Sequence, residues 1–145
     1  AVMCPSAAMR SGTGAAPLVK MRAVGVNTAL GTDNVANANA YDLFNEMQIA
    51  AKLMALWERK PAAVPARDIV EMATMGGAEV LGIDAGRFAA GCAFDAIVVD
   101  ATVAESNLIT WEGMDTVDDI LQKIVYNADR SNISKVWVQG RAVRG

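Results

Sequence analysis

The sequence predicts an α/β fold in which parallel strands come first and a separate, mainly antiparallel layer comes last. In the first half of the 145 residues, short apolar runs alternate with apolar residues at helical spacing. Apolar strands between helices are typical of a parallel sheet that is covered on a face. Hydrophobic residues make up 53% of the chain and charged residues 20%, so we expect a packed interior.

The first half opens with a strand at residues 1–4. Pro17 suits the first turn of a helix, where its missing N–H costs no hydrogen bond, and Gly25 is placed to end that helix. Its apolar face consists of Leu18, Met21 and Val24. Residues 26–30 then predict a short apolar strand, which Gly31-Thr32-Asp33 closes.

Two further helical patterns follow an Asn-rich loop at residues 34–40. Asp42 is a suitable cap for the first of them, whose apolar positions are Leu43, Met47, Ala50, Met54 and Trp57. After a linker between Pro61 and Pro65, a second pattern runs through Ile69, Met72 and Ala73. We expect this helix to break at Gly76-Gly77 and to resume as far as Gly82. The methionines on these faces predict core packing.

The second half has strand patterns at 94–100 and on both sides of Gln139-Gly140, which predicts a hairpin turn. Between them, Thr116 begins a helix, and Asp119 three residues later resembles a capping box. Two strand–helix units cannot close a barrel, which needs eight units and ~250 residues. The sequence therefore predicts part of a sheet in its first half.

Composition excludes several classes of function. A net charge of −3 gives no basic surface for nucleic acid, and no apolar run is long enough to span a membrane. The two cysteines and the lack of a signal-peptide pattern predict reduced thiols in the cytoplasm. The chain has no histidine, the commonest metal ligand and general base. It also begins on Ala1 rather than Met, so we expect further sequence upstream.

Asp33 is the first candidate for chemistry, because α/β folds place reactive groups just past the C-terminal ends of parallel strands. There a carboxylate can hold a divalent metal or accept a proton from a metal-bound water. The alternative is a turn or cap residue, which the spacing alone favours by about two to one. Asn34, Asn37 and Asn39 can line a pocket with amide groups, or simply form a loop. Cys4 has no base nearby and is interpreted as a packed thiol.

An ordered series of segments resembles one branch of the amidohydrolase superfamily, which holds atrazine-chlorohydrolase-like enzymes and deaminases of nitrogen heterocycles. The resemblance covers nearly the whole chain. Its segments are Cys4-Pro5-Ser6, Met9 with 12–17, 23–26, Leu30-Gly31-Thr32-Asp33, 42–47, Met72-Ala73-Thr74 with Gly76-Gly77-Ala78, Leu81-Gly82, Gly91 with 94–100, and 136–141.

The resemblance implies that residues 1–88 are the last two strand–helix units of a (β/α)8 barrel with the helices that follow, and that residues 89–145 are part of a small β-sandwich with one helix. It implies that Asp33 binds one zinc or iron ion and accepts the proton of a metal-activated water, which attacks a ring carbon of a purine, pterin or triazine. Asn34 and Asn37 are the candidates for binding this small heterocyclic substrate. The histidines of the family's metal site are absent, so we expect them in a missing N-terminal part.

Three positions depart from the family near the expected pocket. Met3 stands where many members have His, Ala7 stands where Asn often occurs, and Asn34 stands where Gly is frequent. Because of these departures, the resemblance does not identify the substrate.

Three interpretations of the function therefore remain. The chain is the C-terminal part of an aminohydrolase, a non-catalytic remnant or interaction module, or a relative of the amide-ring hydrolases such as dihydroorotase. By itself we expect it to be inactive, to retain no zinc and to form a homo-oligomer.

Overall fold

The computed structural model describes residues 1–38 and 40–144. Its first strands, β1 (Val2–Met3) and β2 (Ala29–Leu30), pair in parallel, with Val2 opposite Ala29 and Met3 opposite Leu30. Two helices connect them, α1 (Pro5–Ser11) and α2 (Leu18–Ala23). The parallel pairing predicted for the first half is confirmed.

Two details of this region differ from the prediction. Helix α1 was not predicted, because its sequence, PSAAMRS, has no helically spaced apolar face; Pro5 at its first position favours helix initiation. The strand predicted at 26–30 is only two residues long. Val26 lies outside it and donates its N–H to the Met21 carbonyl of α2, and its partner β1 is likewise only Val2–Met3.

Three helices follow, α3 (Leu43–Glu58), α4 (Ala66–Ala73) and α5 (Met75–Leu81). The predicted cap of α3 is confirmed, since the Asp42 carboxylate accepts from the backbone N–H groups of Phe44 and Asn45. Met54, Ile69 and Met72 are at most 1% exposed and form the centre of the core. Leu43 and Trp57, predicted on the buried face of α3, are exposed at its two ends.

The predicted helix break at Gly76-Gly77 is wrong. The chain bends instead at Thr74, where φ is −124° and ψ is −92°, and both glycines lie inside α5. Gly76 packs against the Thr28 carbonyl just before β2, so a Cβ at this position would overlap backbone. The first glycine therefore serves close packing between α5 and the chain entering β2.

The remaining strands form a second sheet in which all pairs are antiparallel, in the order β3 (Ala96–Val99), β4 (Ile133–Val138) and β5 (Arg141–Arg144). The hairpin turn is confirmed, with positive φ at both Gln139 and Gly140. Helix α6 (Val117–Asn127) lies between β3 and β4 in sequence and begins with the predicted Thr116–Asp119 capping box.

Helix α6 packs on α3 and α4. Its Val125 is fully buried and belongs to the same hydrophobic cluster as Met54 and Ile69. The second half thus contributes directly to the core of the first. Within residues 1–38 and 40–144, no helix is long and apolar enough to cross a membrane.

Candidate functional site

Asp33 lies three residues beyond the end of β2, at the start of the loop that leads to α3. Its φ of 61° is a left-handed conformation that aspartate tolerates better than most residues. One carboxylate oxygen accepts from the Asn34 N–H at 2.7 Å, and the other accepts from Asn37 Nδ2 at 3.2 Å. The side chain is exposed and oriented by its own loop.

A pocket brings Asp33 together with the corner between β1 and α1. It is lined on one side by β1, α1 and the loop at 13–16, and on the other by Asp33 and Asn37. We call this the Asp33 pocket. The side chains of Val2 and Cys4 come close to Gly31 here: a Cβ on Gly31 would lie 2.9 Å from Val2 Cγ1 and 3.2 Å from Cys4 Sγ. Glycine at position 31 is what permits this approach.

The Cys4 thiol lies in the Asp33 pocket, where the charge of Asp33 affects the pKa of the thiol. Burial raises the pKa of Cys4 above its ordinary value, and the negative charge of Asp33 raises that pKa further, while the backbone N–H of Asp33 opposes the shift. A thiol whose pKa is raised stays protonated at neutral pH and is a poor nucleophile. This agrees with the interpretation of Cys4 as a packed thiol.

The asparagines separate into different structural roles. The Asn34 side chain accepts from the N–H groups of Ala36 and Asn37 and so closes a turn. Asn37 lines the Asp33 pocket while donating to Asp33. Asn39, the third candidate, lies outside the described residues.

Glu46 is a polar residue of this region that sequence reasoning did not single out. It is 0% exposed, and both carboxylate oxygens are bound by Ser6, one by its backbone N–H at 2.9 Å and the other by its hydroxyl group. A signal was present, because Glu46 occupies the helix face of Leu43 and Ala50, three and four residues away. A carboxylate at a core-facing position needs a dedicated partner.

The donor set around Asp33 fits a metal ion only in part. A divalent ion gives up hydration for several protein ligands, and this chain contains no histidine. Within the described ranges, no group of three or more Cys, Asp or Glu side chains is placed to hold an ion. Asp33 thus offers a single carboxylate to an ion, and the described residues place no second and third Cys, Asp or Glu ligand beside it.

Comparisons with known proteins give one family for nearly the whole chain. The model of the Amidohydrolase family matches residues 1–143. A 5-methylthioadenosine/S-adenosylhomocysteine deaminase of Halobacterium salinarum is 48% identical over 99 residues, covering 68% of this chain and 23% of that protein. A 5'-deoxyadenosine deaminase of Methanosarcina mazei is 36% identical over 137 residues, covering 94% of this chain and 30% of that protein.

Solved structures agree with these relatives. An adenosine deaminase from Xanthomonas campestris with bound zinc superimposes with a TM-score of 0.86 at 29% identity, covering 99% of this chain and 31% of that one. Guanine deaminase from E. coli gives a TM-score of 0.85 at 25% identity, covering 98% and 33%. The chain spans less than a third of the length of the two deaminases of Halobacterium salinarum and Methanosarcina mazei. The resemblance drawn from the sequence is confirmed.

Proposed function

Since this chain belongs to the amidohydrolase family, we propose that it is the C-terminal part of an aminohydrolase that replaces a ring amino group of a nitrogen heterocycle by a hydroxyl group from water. Relatives that act on adenosine derivatives support a purine nucleoside as the substrate. The observation that carries the proposal is the position of Asp33, just beyond a parallel strand and facing a pocket built by the neighbouring strand.

Asp33 is assigned two roles in this reaction. It is one ligand of a divalent metal ion, zinc or iron, which when bound supplies Lewis-acid activation of a water molecule. Its carboxylate also accepts the proton released by that water and returns it to the departing amine as ammonia forms. The hydrogen bonds from Asn34 N–H and Asn37 Nδ2 hold the carboxylate in one orientation for both roles.

Substrate binding is assigned to Asn37 in preference to Asn34. Asn37 lines the Asp33 pocket, where an amide offers both a donor and an acceptor to a heterocycle. The Asn34 side chain is already engaged in the turn at residues 34–37, so its contribution is to the shape of the loop.

The proposed domain division, with a partial barrel at residues 1–88 and a sandwich portion at 89–145, accompanies this function. The separation of a parallel pair from an antiparallel sheet supports it. The chain alone is expected to be inactive, because Asp33 is a single ligand. The alternative is a non-catalytic remnant or interaction module, and the lack of a three-ligand cluster in the described part of the chain is expected under both functions.

Replacement of Asp33 by Asn distinguishes these two functions. In a polypeptide that carries this chain together with its upstream part, we expect deamination of 5'-deoxyadenosine, followed by the loss of ultraviolet absorbance. The Asp33→Asn substitution should lower kcat by ~10²- to 10⁴-fold, the usual contribution of a positioned proton-transfer group.

Asp84→Asn provides a matched control, because the Asp84 side chain is 85% exposed and lies outside the Asp33 pocket. It should leave kcat unchanged. An extended polypeptide that lacks both deaminase activity and bound metal would support the non-catalytic alternative.

A further inference from the structure

We propose that Glu46 is a positioning residue: its buried carboxylate fixes the corner between β1 and α1 and thereby the wall of the Asp33 pocket. The functional part of this inference rests on the proposed deaminase activity. The structural part does not, because it concerns contacts between Glu46, Ser6, Cys4 and Asp33.

The environment of Glu46 has a feature that packing alone does not require. The carboxylate is fully buried, and no Lys or Arg within the described residues forms an ion pair with it. Burial of a carboxylate is costly unless its oxygens are hydrogen-bonded. Here both oxygens are satisfied by one residue, Ser6, which is forty positions away in sequence.

Ser6 lies in the first turn of α1, whose N–H groups have no partner within the helix. The N-cap residue, Cys4, makes no side-chain capping bond. Glu46 therefore supplies from α3 the acceptor that α1 lacks in its own sequence. The N-terminus of α3 is capped by Asp42. The first turn of α1 is therefore held by a residue of a helix that has its own cap.

Cys4 connects the contact between Glu46 and Ser6 to the Asp33 pocket. Cys4 lies two residues before Ser6 and accepts the first helical bond of α1, from the Ala8 N–H at 3.0 Å. Its sulfur would lie 3.2 Å from a Cβ on Gly31, and Cys4 and Asp33 both line the Asp33 pocket. If the corner moves, the surface against which Asp33 is placed moves with it.

Two substitutions of Glu46 separate position from charge. Glu46→Ala removes both bonds to Ser6. Glu46→Gln preserves both, because the amide oxygen accepts from the Ser6 N–H and the amide nitrogen donates to the Ser6 hydroxyl. Both variants remove the carboxylate, so an effect that does not depend on the hydrogen bonds to Ser6 would be equal in the two.

The first readout is the rate at which iodoacetamide alkylates Cys4, measured by peptide mass spectrometry on the purified 145-residue chain. We expect Glu46→Ala to raise this rate by about tenfold and Glu46→Gln to change it by less than about twofold. The rate at Cys92, which is also free and half-buried, should be unchanged in both. Asn132→Ala, which removes another fully buried polar side chain, should leave the Cys4 rate unchanged.

The second readout is the backbone amide resonance of Asn34, whose N–H donates to the Asp33 carboxylate. It should shift in Glu46→Ala and remain in place in Glu46→Gln. If Glu46→Ala does not fold, Ser6→Ala replaces it, since it removes only the hydroxyl bond, and about a threefold rise at Cys4 is expected.

Several outcomes would overturn the inference. They are equal rises at Cys4 and Cys92, equal rises in the Ala and Gln variants, or an Asn34 resonance that does not move. In the extended polypeptide, Glu46→Ala should lower kcat by about tenfold or more with a smaller change in KM, and an unchanged kcat would also refute it. Positive thiol and resonance results without any deaminase activity would instead refute only the proposed function.

Discussion

The helical core and the three-stranded sheet of this chain bury their apolar residues to very different degrees. Met54, Ile69 and Met72 of α3 and α4 are at most 1% exposed. In contrast, no residue of β3, β4 or the described part of β5 is buried, and Ile97, Val138 and Val143 are about half exposed. Apolar patterns thus end in a closed core in one region and on a largely exposed surface in the other.

The reason is the location of the partner surface. The faces of α3 and α4 are covered by α6, which comes from later in the same chain. The sheet is covered at one end, where Val99 and Ile133 pack against the core cluster, and by aromatic contacts such as Phe94 with Phe88 and with Trp137. A hydrophobic pattern therefore predicts that a face will be buried, but not that its partner belongs to the same 145 residues.

The largest effect expected from this difference concerns association. Unpaired strand edges and a few hundred Å² of exposed apolar surface, at ~25 cal/mol per Å², correspond to several kcal/mol, which is comparable with a domain stability of ~5–15 kcal/mol. We expect the purified chain to sediment above its monomer mass of 15.2 kDa at micromolar concentration. A stable folded monomer in that experiment would show that the open sheet needs no cover.

Truncation of a core side chain should have a larger effect than truncation in the sheet. Met54→Ala is expected to lower the free energy of unfolding by ~2–5 kcal/mol, because it leaves a cavity in a closed core. Val143→Ala is the matched control in β5 and should change it by less than ~0.5 kcal/mol. Urea titrations followed by circular dichroism measure both. Similar losses in the two variants would mean that the sheet is covered in solution.

A methyl group added to α5 tests close packing beneath β2. Gly76→Ala places a Cβ against the Thr28 carbonyl and should destabilise the chain by ~1–3 kcal/mol. The neighbouring Gly77→Ala has open space around its Cβ and should be neutral or stabilising by up to ~1 kcal/mol, from helix propensity. Thermal unfolding compares them, and equal melting temperatures would exclude the contact as a constraint.

Acid should affect the second half of the chain first. The Lys123 ammonium and the Trp111 N–H lower the pKa of Asp115, and the Thr116 hydroxyl and N–H lower the pKa of Asp119. Because these carboxyls have a lower pKa when folded, their contribution is fully present above the unfolded value of ~3.9 and is lost as pH falls through the folded value. Hydrogen exchange between about pH 5 and about pH 2 should show α6 opening before α3.

Asp115→Asn should reduce this pH dependence, whereas the exposed Asp84→Asn should leave it unchanged. If α3 and α6 open together at every pH, the two regions unfold as one unit and the local carboxyl contacts do not decide the order.

Residue patterns predicted much of the local structure. The Asp42 cap, the Thr116–Asp119 capping box and the Gln139-Gly140 turn all formed where they were predicted. Each depends on backbone groups within a few residues, so nearby sequence carries the whole signal. The position of Asp33 after a strand follows from the same kind of reasoning, since Gly31-Thr32-Asp33 interrupts the apolar run.

Long-range contacts decided the rest. Three such contacts are the pairing of β2 with β1, the approach of Gly76 to the Thr28 carbonyl, and the bond from the Ser6 N–H of α1 to Glu46 forty residues later. No local pattern contains these pairs, because each joins segments that meet only when the chain folds. The pocket around Asp33 belongs to this second class: the residue could be named from its neighbours, but its surroundings come from β1 and α1.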